Sequence, residues 1–101
     1  MKINISIKSE NGYKFYEVDG YLVFEMYGHK FVAHRGINIK NGKQFYIRQD
    51  WRISEAETGA VILTECYTFM GAIRESEEFL KNKGETAFMK AFESAKRRQN
   101  E

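Results

Sequence analysis

The hydrophobic residues of this chain change their spacing once, near residue 68, and that change limits the possible folds more than any other feature. Before it, apolar and polar residues alternate, as at Ile3, Ile5 and Ile7, which is typical of strands with one buried face. After it, apolar residues recur at helical spacing in two stretches. Strands followed by helices, without alternation of the two, predict an α+β domain.

The alternating segments predict an antiparallel sheet of about five or six strands within residues 2–66. Two helices are expected at about residues 69–83 and 86–98, with Thr68 as the N-cap of the first and Gly84 at its C-terminal end. Each helix has a single apolar stripe, so both are expected to pack on one face of the sheet. The opposite face would then be exposed to solvent.

The turns are predicted from short polar segments that contain glycine. Asp19–Gly20 and Gly28–His29 are expected to close tight hairpins. Residues 36–43 are expected to form a polar loop that ends in the turn pair Asn41–Gly42. Gln49 interrupts the apolar side of the following strand, which predicts a β-bulge there.

The 101 residues suit a single domain that spans residues 1–101. The chain has one cysteine, Cys66, so it cannot form an internal disulfide, and this favours a reducing compartment. Its longest uninterrupted apolar run, Ala60 to Leu63, is far shorter than the ~20 residues of a membrane span. We therefore expect a cytoplasmic protein without a membrane partner.

Charge is distributed unevenly along the chain, although the net charge is only +2. Six basic residues and one acidic residue lie between Lys30 and Arg52, counting both ends. By contrast, eight acidic and four basic residues lie between Ile53 and Glu93. The folded domain is therefore expected to have a basic side and an acidic side.

The basic segment supplies the candidate contact residues, because alternation along the predicted strands places its charged and aromatic side chains on sheet surfaces. The candidates are Lys30, Arg35, Tyr46, Arg48 and Arg52. Such a surface can contact a protein or the backbone of a nucleic acid. It can equally be the solvated outer face of an antiparallel sheet, where charged side chains are ordinary.

No residue pattern predicts a catalytic residue, a metal or a cofactor. Cys66 precedes a helix, whose N-terminus can lower a thiol pKa, but such a cysteine is more often a small buried apolar residue. His29 and His34 are expected in a turn and on the sheet surface, five residues apart, which is not the spacing of a zinc pair. Glu55 and Glu57 flank a predicted turn and are expected to be solvated.

The segment from Trp51 to Gly59, with the sequence WRISEAETG, and the later Ala72–Ile73 pair carry a resemblance to known proteins. Small uncharacterised proteins of bacteriophages and prophages have a similar Trp-x-Ile-Ser…Thr-Gly hairpin, followed by a helix that begins near an Ala-Ile pair. The resemblance covers roughly residues 45–83. It assigns no functional residue, since most such proteins have no assigned activity.

The resemblance implies a biological context. Short phage proteins often bind and block a host protein or nucleoprotein complex, including defence nucleases such as CRISPR effectors. We therefore expect a non-enzymatic binding protein that acts in the host cytoplasm. A nucleic-acid-binding domain with a basic sheet face is the alternative, and an exposed edge strand would allow two copies to pair as a homodimer.

Overall fold

A computed structural model describes residues 1–10 and 12–99, apart from the side chains of Lys8, Ser9 and Tyr13. Within these residues, six strands are followed by two helices, which confirms the predicted α+β class. The strands are β1 (Lys2–Ser9), β2 (Gly12–Asp19), β3 (Tyr21–Met26), β4 (His29–Lys40), β5 (Lys43–Glu55) and β6 (Val61–Cys66). The helices are α1 (Phe69–Lys83) and α2 (Glu85–Gln99).

The strands form two antiparallel sheets rather than the single sheet expected from the sequence. β1 and β2 form a two-stranded sheet, and the second sheet has the strand order β3-β4-β5-β6. The chain therefore passes from one sheet to the other at Gly20, and the tight hairpin predicted at Asp19–Gly20 is wrong. Gly20 lies so close to Val32 of β4 that a Cβ atom on it would overlap the Val32 side chain, so glycine permits this close crossing.

Two hairpins of the large sheet close with tight turns. Asn41–Gly42 joins β4 to β5 as predicted, with φ values of 52° and 77°. Between β3 and β4, Tyr27–Gly28 has φ values of 56° and 78°, and Met26 pairs with His29 across it. This turn therefore lies one residue earlier than predicted. Positive φ at both central residues is typical of type I′ turns, whose twist matches that of the paired strands.

The helices cover one face of the large sheet, as predicted. Phe31, Ala33 and Ile53 project from its two central strands and are completely buried. Leu80 of α1 and Phe88 of α2 belong to the same buried cluster. Burying a side chain of this size contributes about 1.5–3 kcal/mol relative to leaving it exposed. This layer is therefore the main hydrophobic core.

The opposite face of the large sheet is covered as well, contrary to the expectation that it is exposed. The two-stranded sheet packs on it, with Ile3, Ile5 and Val18 against Val32 of β4. All four side chains are at most 5% exposed. The domain therefore has three layers: the β1–β2 sheet, the large sheet and the helices.

β4 and β5 extend past their neighbours, because residues 36–43 form strand and turn rather than the predicted loop. β3 pairs with β4 as far as Ala33, and β6 pairs with β5 as far as Trp51. Beyond these points, the large sheet continues as residues 37–46 alone, which pair with each other. We call residues 37–46 the β4–β5 ribbon.

Candidate binding cleft

A cleft of about 410 Å³ opens where β3 begins and the β4–β5 ribbon leaves the sheet. We call it the aromatic cleft, because three of its seven lining residues are aromatic. The lining residues are Met1, Asp19, Gly20, Tyr21, Arg35, Tyr46 and Trp51. They come from four strands and from residues that adjoin them, so the cleft depends on the tertiary fold.

One side of the cleft is open because β3 is short. β3 starts at Tyr21, which pairs with Ala33 of β4. Arg35 lies two residues further along β4, beyond the paired part of β3, and its side chain is exposed. Tyr21 lines the cleft at this end and is itself 64% exposed.

The other side of the cleft is shaped by a bulge in β5. Tyr46 and Trp51 both pair with β4, but they are five residues apart while their partners are only two residues apart. Residues 47–50 therefore bulge out of the strand, which confirms the bulge predicted at Gln49. The bulge disturbs the alternation of side chains along β5, so Tyr46 and Trp51 both reach the cleft.

The carboxylate of Asp50 holds the bulge in place. Arg52 donates to it, with Nη2 2.7 Å from Oδ2, and the backbone N–H of Glu65 donates to Oδ1 at 2.9 Å. Gly36 lies directly against this carboxylate, and a Cβ atom there would overlap it. Asp50 is almost completely buried, so the Arg52 guanidinium balances a charge that would otherwise be costly to desolvate.

The aromatic rings of the cleft are supported by Phe69, the first residue of α1. Trp51 and Tyr21 both contact Phe69 edge to face, with ring centroids 5.0 Å and 5.8 Å away. On the cleft side, the guanidinium of Arg35 lies 4.9 Å from the centre of the Trp51 ring. A cation over an aromatic face at an exposed site is stabilised by about 0.5–1 kcal/mol. These contacts therefore hold the Trp51 ring and the Arg35 guanidinium in place at the surface that a partner would contact.

Two of the five predicted contact residues, Arg35 and Tyr46, meet in the aromatic cleft. The Tyr46 hydroxyl accepts a hydrogen bond from the backbone N–H of Asp19 at 3.1 Å. This bond orients the Tyr46 ring while leaving 49% of the residue exposed. The cleft thus presents a guanidinium and an oriented phenol ring side by side.

The other three predicted contact residues lie outside the cleft. Lys30 is exposed on β4, opposite Glu25 of β3. Arg48 is exposed within the bulge of β5. Arg52 is bound to Asp50 and is only partly exposed, so its charge stabilises the fold. The structure therefore spreads the predicted basic surface over several places.

Trp51 and Tyr21 also line the cleft, although no sequence pattern marks them as contact residues. The alternating pattern assigns Trp51 to the buried side of β5, and Trp51 does contact Phe69. Because of the bulge, the other side of the Trp51 ring faces the cleft. An aromatic residue directly after a predicted bulge is therefore the sequence feature that indicates this position. Tyr21 follows the crossing at Gly20, which no sequence pattern identified.

Cys66 is buried and has no sign of nucleophilic activation. Its Sγ donates a hydrogen bond to the carboxylate of Glu75 at 3.0 Å. Burial, together with this hydrogen bond and the negative charge of Glu75, raises the pKa of the Cys66 thiol to about 11. The thiol is therefore protonated near neutral pH, because these effects outweigh any lowering of its pKa by the nearby helix N-terminus.

His34 and Ser54 form a buried pair with the contacts of a base and a hydroxyl nucleophile. His34 Nδ1 donates to the carbonyl of Arg35 at 3.1 Å, so Nε2 accepts from the Ser54 hydroxyl at 2.7 Å. Both residues are completely buried, which closes this pair to a substrate and corrects the expected surface position of His34. His29 instead contacts the rings of α2, so the two histidines do not meet.

Comparison of the chain with protein-family models, curated proteins and solved structures finds no match. Among the described residues, no helix combines the length and the apolar character that crossing a membrane requires. A functional interpretation therefore depends on the chemistry of the chain itself.

Proposed function

We propose that this protein is a non-enzymatic binding protein that blocks a host protein or nucleoprotein complex through the aromatic cleft. The observation that carries the proposal is the guanidinium of Arg35 over the Trp51 ring, in a cleft that two exposed tyrosines, Tyr21 and Tyr46, also line. Tyrosine, tryptophan and arginine are the residues that most often supply the binding energy of protein interfaces.

The cleft is also ordered before any partner binds. The Trp51 ring is packed against Phe69, and the Tyr46 hydroxyl is hydrogen-bonded to the backbone of Asp19. Immobilising a flexible side chain at an interface costs about 0.5–1.5 kcal/mol. Because these rings are already fixed, less of that cost remains to be met on binding.

The resemblance to phage and prophage proteins supports the proposed context, in which the chain is encoded by a mobile element. A defence nuclease such as a CRISPR effector is one target that fits this context. The chain has a net charge of +2, with acidic and basic residues on different segments. Charge-complementary contact with a protein therefore fits the chain better than imitation of DNA by a dense acidic surface.

Affinity capture from bacterial lysate tests the proposal. Arg35→Glu reverses the charge in the cleft, and Arg74→Glu makes the same change on the exposed side of α1. We expect the wild type and Arg74→Glu to capture the same partner. Arg35→Glu should capture at least about tenfold less of it, since removing an interface anchor costs roughly 2 kcal/mol or more of binding free energy. Equal recovery by all three proteins would contradict the proposed role of the cleft.

The β4–β5 ribbon favours nucleic-acid binding as a second candidate function. Its Lys40 and Lys43 are exposed, and residues 36–49 contain no acidic residue. A two-stranded ribbon has a width that the major groove of DNA admits. Exposed Phe45 on the same ribbon adds an aromatic ring on which a base can stack.

A mobility-shift assay with duplex DNA, single-stranded DNA and structured RNA separates the two functions. If the ribbon binds nucleic acid, the affinity falls steeply with salt, because each phosphate contact releases counterions. Lys40→Glu and Lys43→Glu would then weaken binding, and Lys81→Glu on α1 would not. Absence of binding at low salt would exclude this second function and leave a protein target.

A further inference from the structure

His29, Glu55 and Glu57 bring three metal-binding side chains to one place, on the side of the large sheet that faces the helices. One ligand atom from each residue lies within 4.8 Å of the others. His29 Nδ1 is 3.5 Å from Glu55 Oε2. Two ligand atoms bound to one tetrahedral Zn²⁺ at ~2.0–2.1 Å lie about 3.4 Å apart, so this pair already has a suitable separation.

The Glu55 carboxylate is held rigidly in this cluster. Its Oε1 accepts hydrogen bonds from the backbone N–H and the hydroxyl of Thr58, at 2.7 Å and 2.8 Å. Its Oε2 accepts one from the backbone N–H of Glu57 at 2.9 Å. The Glu55 side chain is only 3% exposed, so the expectation that it is solvated is wrong. Hydrogen bonds of this kind orient the carboxylate ligands of metal ions.

The imidazole of His29 is also fixed and shielded from water. Its ring centroid lies 4.2 Å from that of Phe92 and 5.2 Å from that of Phe88, and its side chain is 12% exposed. Glu57, by contrast, is about half exposed and can receive an ion from solvent. The cluster therefore combines two rigid ligands with one accessible ligand.

A cation already occupies part of this cluster. The ammonium group of Lys96, on α2, forms an ion pair with Glu57. The Lys96 side chain is 43% exposed, so it can leave Glu57 and remain solvated.

We propose that His29, Glu55 and Glu57 form a binding site for a first-row transition metal ion, Zn²⁺ above all, which replaces the ammonium group of Lys96. An imidazole and two carboxylates suit Zn²⁺, whereas Mg²⁺ and Ca²⁺ prefer oxygen ligands alone. The fourth position on the ion would be left to water. This site is on a different face from the buried His34 and does not involve the aromatic cleft.

Isothermal titration of the full chain with ZnCl₂ tests the site, in a Cys66→Ser background that removes the thiol as a ligand. We expect one ion per chain and about tenfold or more weaker binding in Glu57→Gln, which removes the accessible ligand. Lys96→Met should bind more tightly, because it removes the competing cation. If Lys96 and Glu57 only form a surface ion pair and no metal site exists, Lys96→Met should not increase the affinity for Zn²⁺.

Two surface variants serve as controls for the zinc titration. Glu93→Gln and Lys90→Met make the same chemical changes at exposed positions of α2, and both should bind Zn²⁺ as the wild type does. Weaker Zn²⁺ binding in Glu57→Gln, together with tighter binding in Lys96→Met, supports the site. Absence of binding at millimolar Zn²⁺, or equal affinity in all variants, would overturn it.

Discussion

Burial determines the chemistry of individual side chains in this domain more than their position in the sequence does. Cys66 precedes a helix that would favour a thiolate, yet burial raises the pKa of its thiol. Burial likewise lowers the pKa of His34 from its ordinary value of 6.5, and the nearby Arg52 acts in the same direction. Both side chains are therefore neutral near pH 7 and contribute to folding through packing and hydrogen bonds.

The lowered pKa of His34 predicts a pH-dependent stability. Below pH ~6.5 the unfolded chain binds a proton at this residue that the folded chain does not, so the free energy of unfolding decreases as the pH falls. The contribution of His34 is fully present above its unfolded pKa and is lost as the pH falls towards its folded pKa. Urea unfolding of the wild type at pH about 8 and about 5 measures this decrease.

Variants of the two histidines assign the pH effect. His34→Gln should unfold with a much smaller difference between the two pH values, because the titrating group is gone. His29→Gln keeps His34, so it should retain the part of the pH dependence that His34 causes. An unchanged pH dependence in His34→Gln would show that other groups control acid stability.

At the scale of elements, the joint between β1 and the β5–β6 loop depends on a single glycine. Gly59 has a φ of 72°, and the lack of a side chain lets its backbone lie directly against β1. A Cβ atom on it would overlap the backbone carbonyl of Asn4, and its own carbonyl accepts from the N–H of Ser6 at 3.1 Å. This contact is one of those that attach the two-stranded sheet to the rest of the domain, beside the packing of its apolar side chains on Val32.

Gly59→Ala should therefore destabilise the domain by more than its backbone conformation alone would cost. Gly42→Ala is the matched control, since Gly42 has a similar φ of 77° but no neighbouring atom that a Cβ would meet. We expect a loss of about 1–2 kcal/mol for Gly42→Ala from the left-handed conformation, and a clearly larger loss for Gly59→Ala. Equal losses in urea unfolding would mean that β1 moves aside at no cost.

The sequence predicted the elements better than their assembly. Period-two and helical patterns located all six strands and both helices, and Thr68 and Gly84 marked the ends of α1 as expected. The split into two sheets was not predicted, because a turn-like Asp19–Gly20 pair is compatible with a hairpin and with a crossing between sheets. The strand pairing shows the crossing, and the close contact of Gly20 with Val32 goes with it.

The candidate sites show the same limit of local patterns. Arg35 and Tyr46 were predicted from charge and alternation, and both line the aromatic cleft. The cluster of His29, Glu55 and Glu57 was not predicted, because residues 26 positions apart meet only after β4 and β5 pair. Long-range pairing of this kind leaves no periodic signal in a single sequence.

At the scale of the whole molecule, the three layers leave the aromatic cleft at the junction between the two sheets and α1. The β1–β2 sheet contributes Asp19, the large sheet contributes Arg35, and α1 contributes Phe69 behind the Trp51 ring. The cleft is therefore a property of the complete domain. Damage to either sheet or to the start of α1 should remove it.

Site-specific photo-cross-linking in bacterial cells tests the central claim, that a partner binds in the aromatic cleft, most directly. A benzophenone side chain at Tyr46, which is 49% exposed in the cleft, is compared with one at Phe79 of α1, which is 43% exposed and does not line the cleft. We predict a discrete adduct from position 46 that disappears when Arg35→Glu is added, and none from position 79. The same adducts from both positions, or an adduct from position 46 that is indifferent to Arg35→Glu, would contradict it.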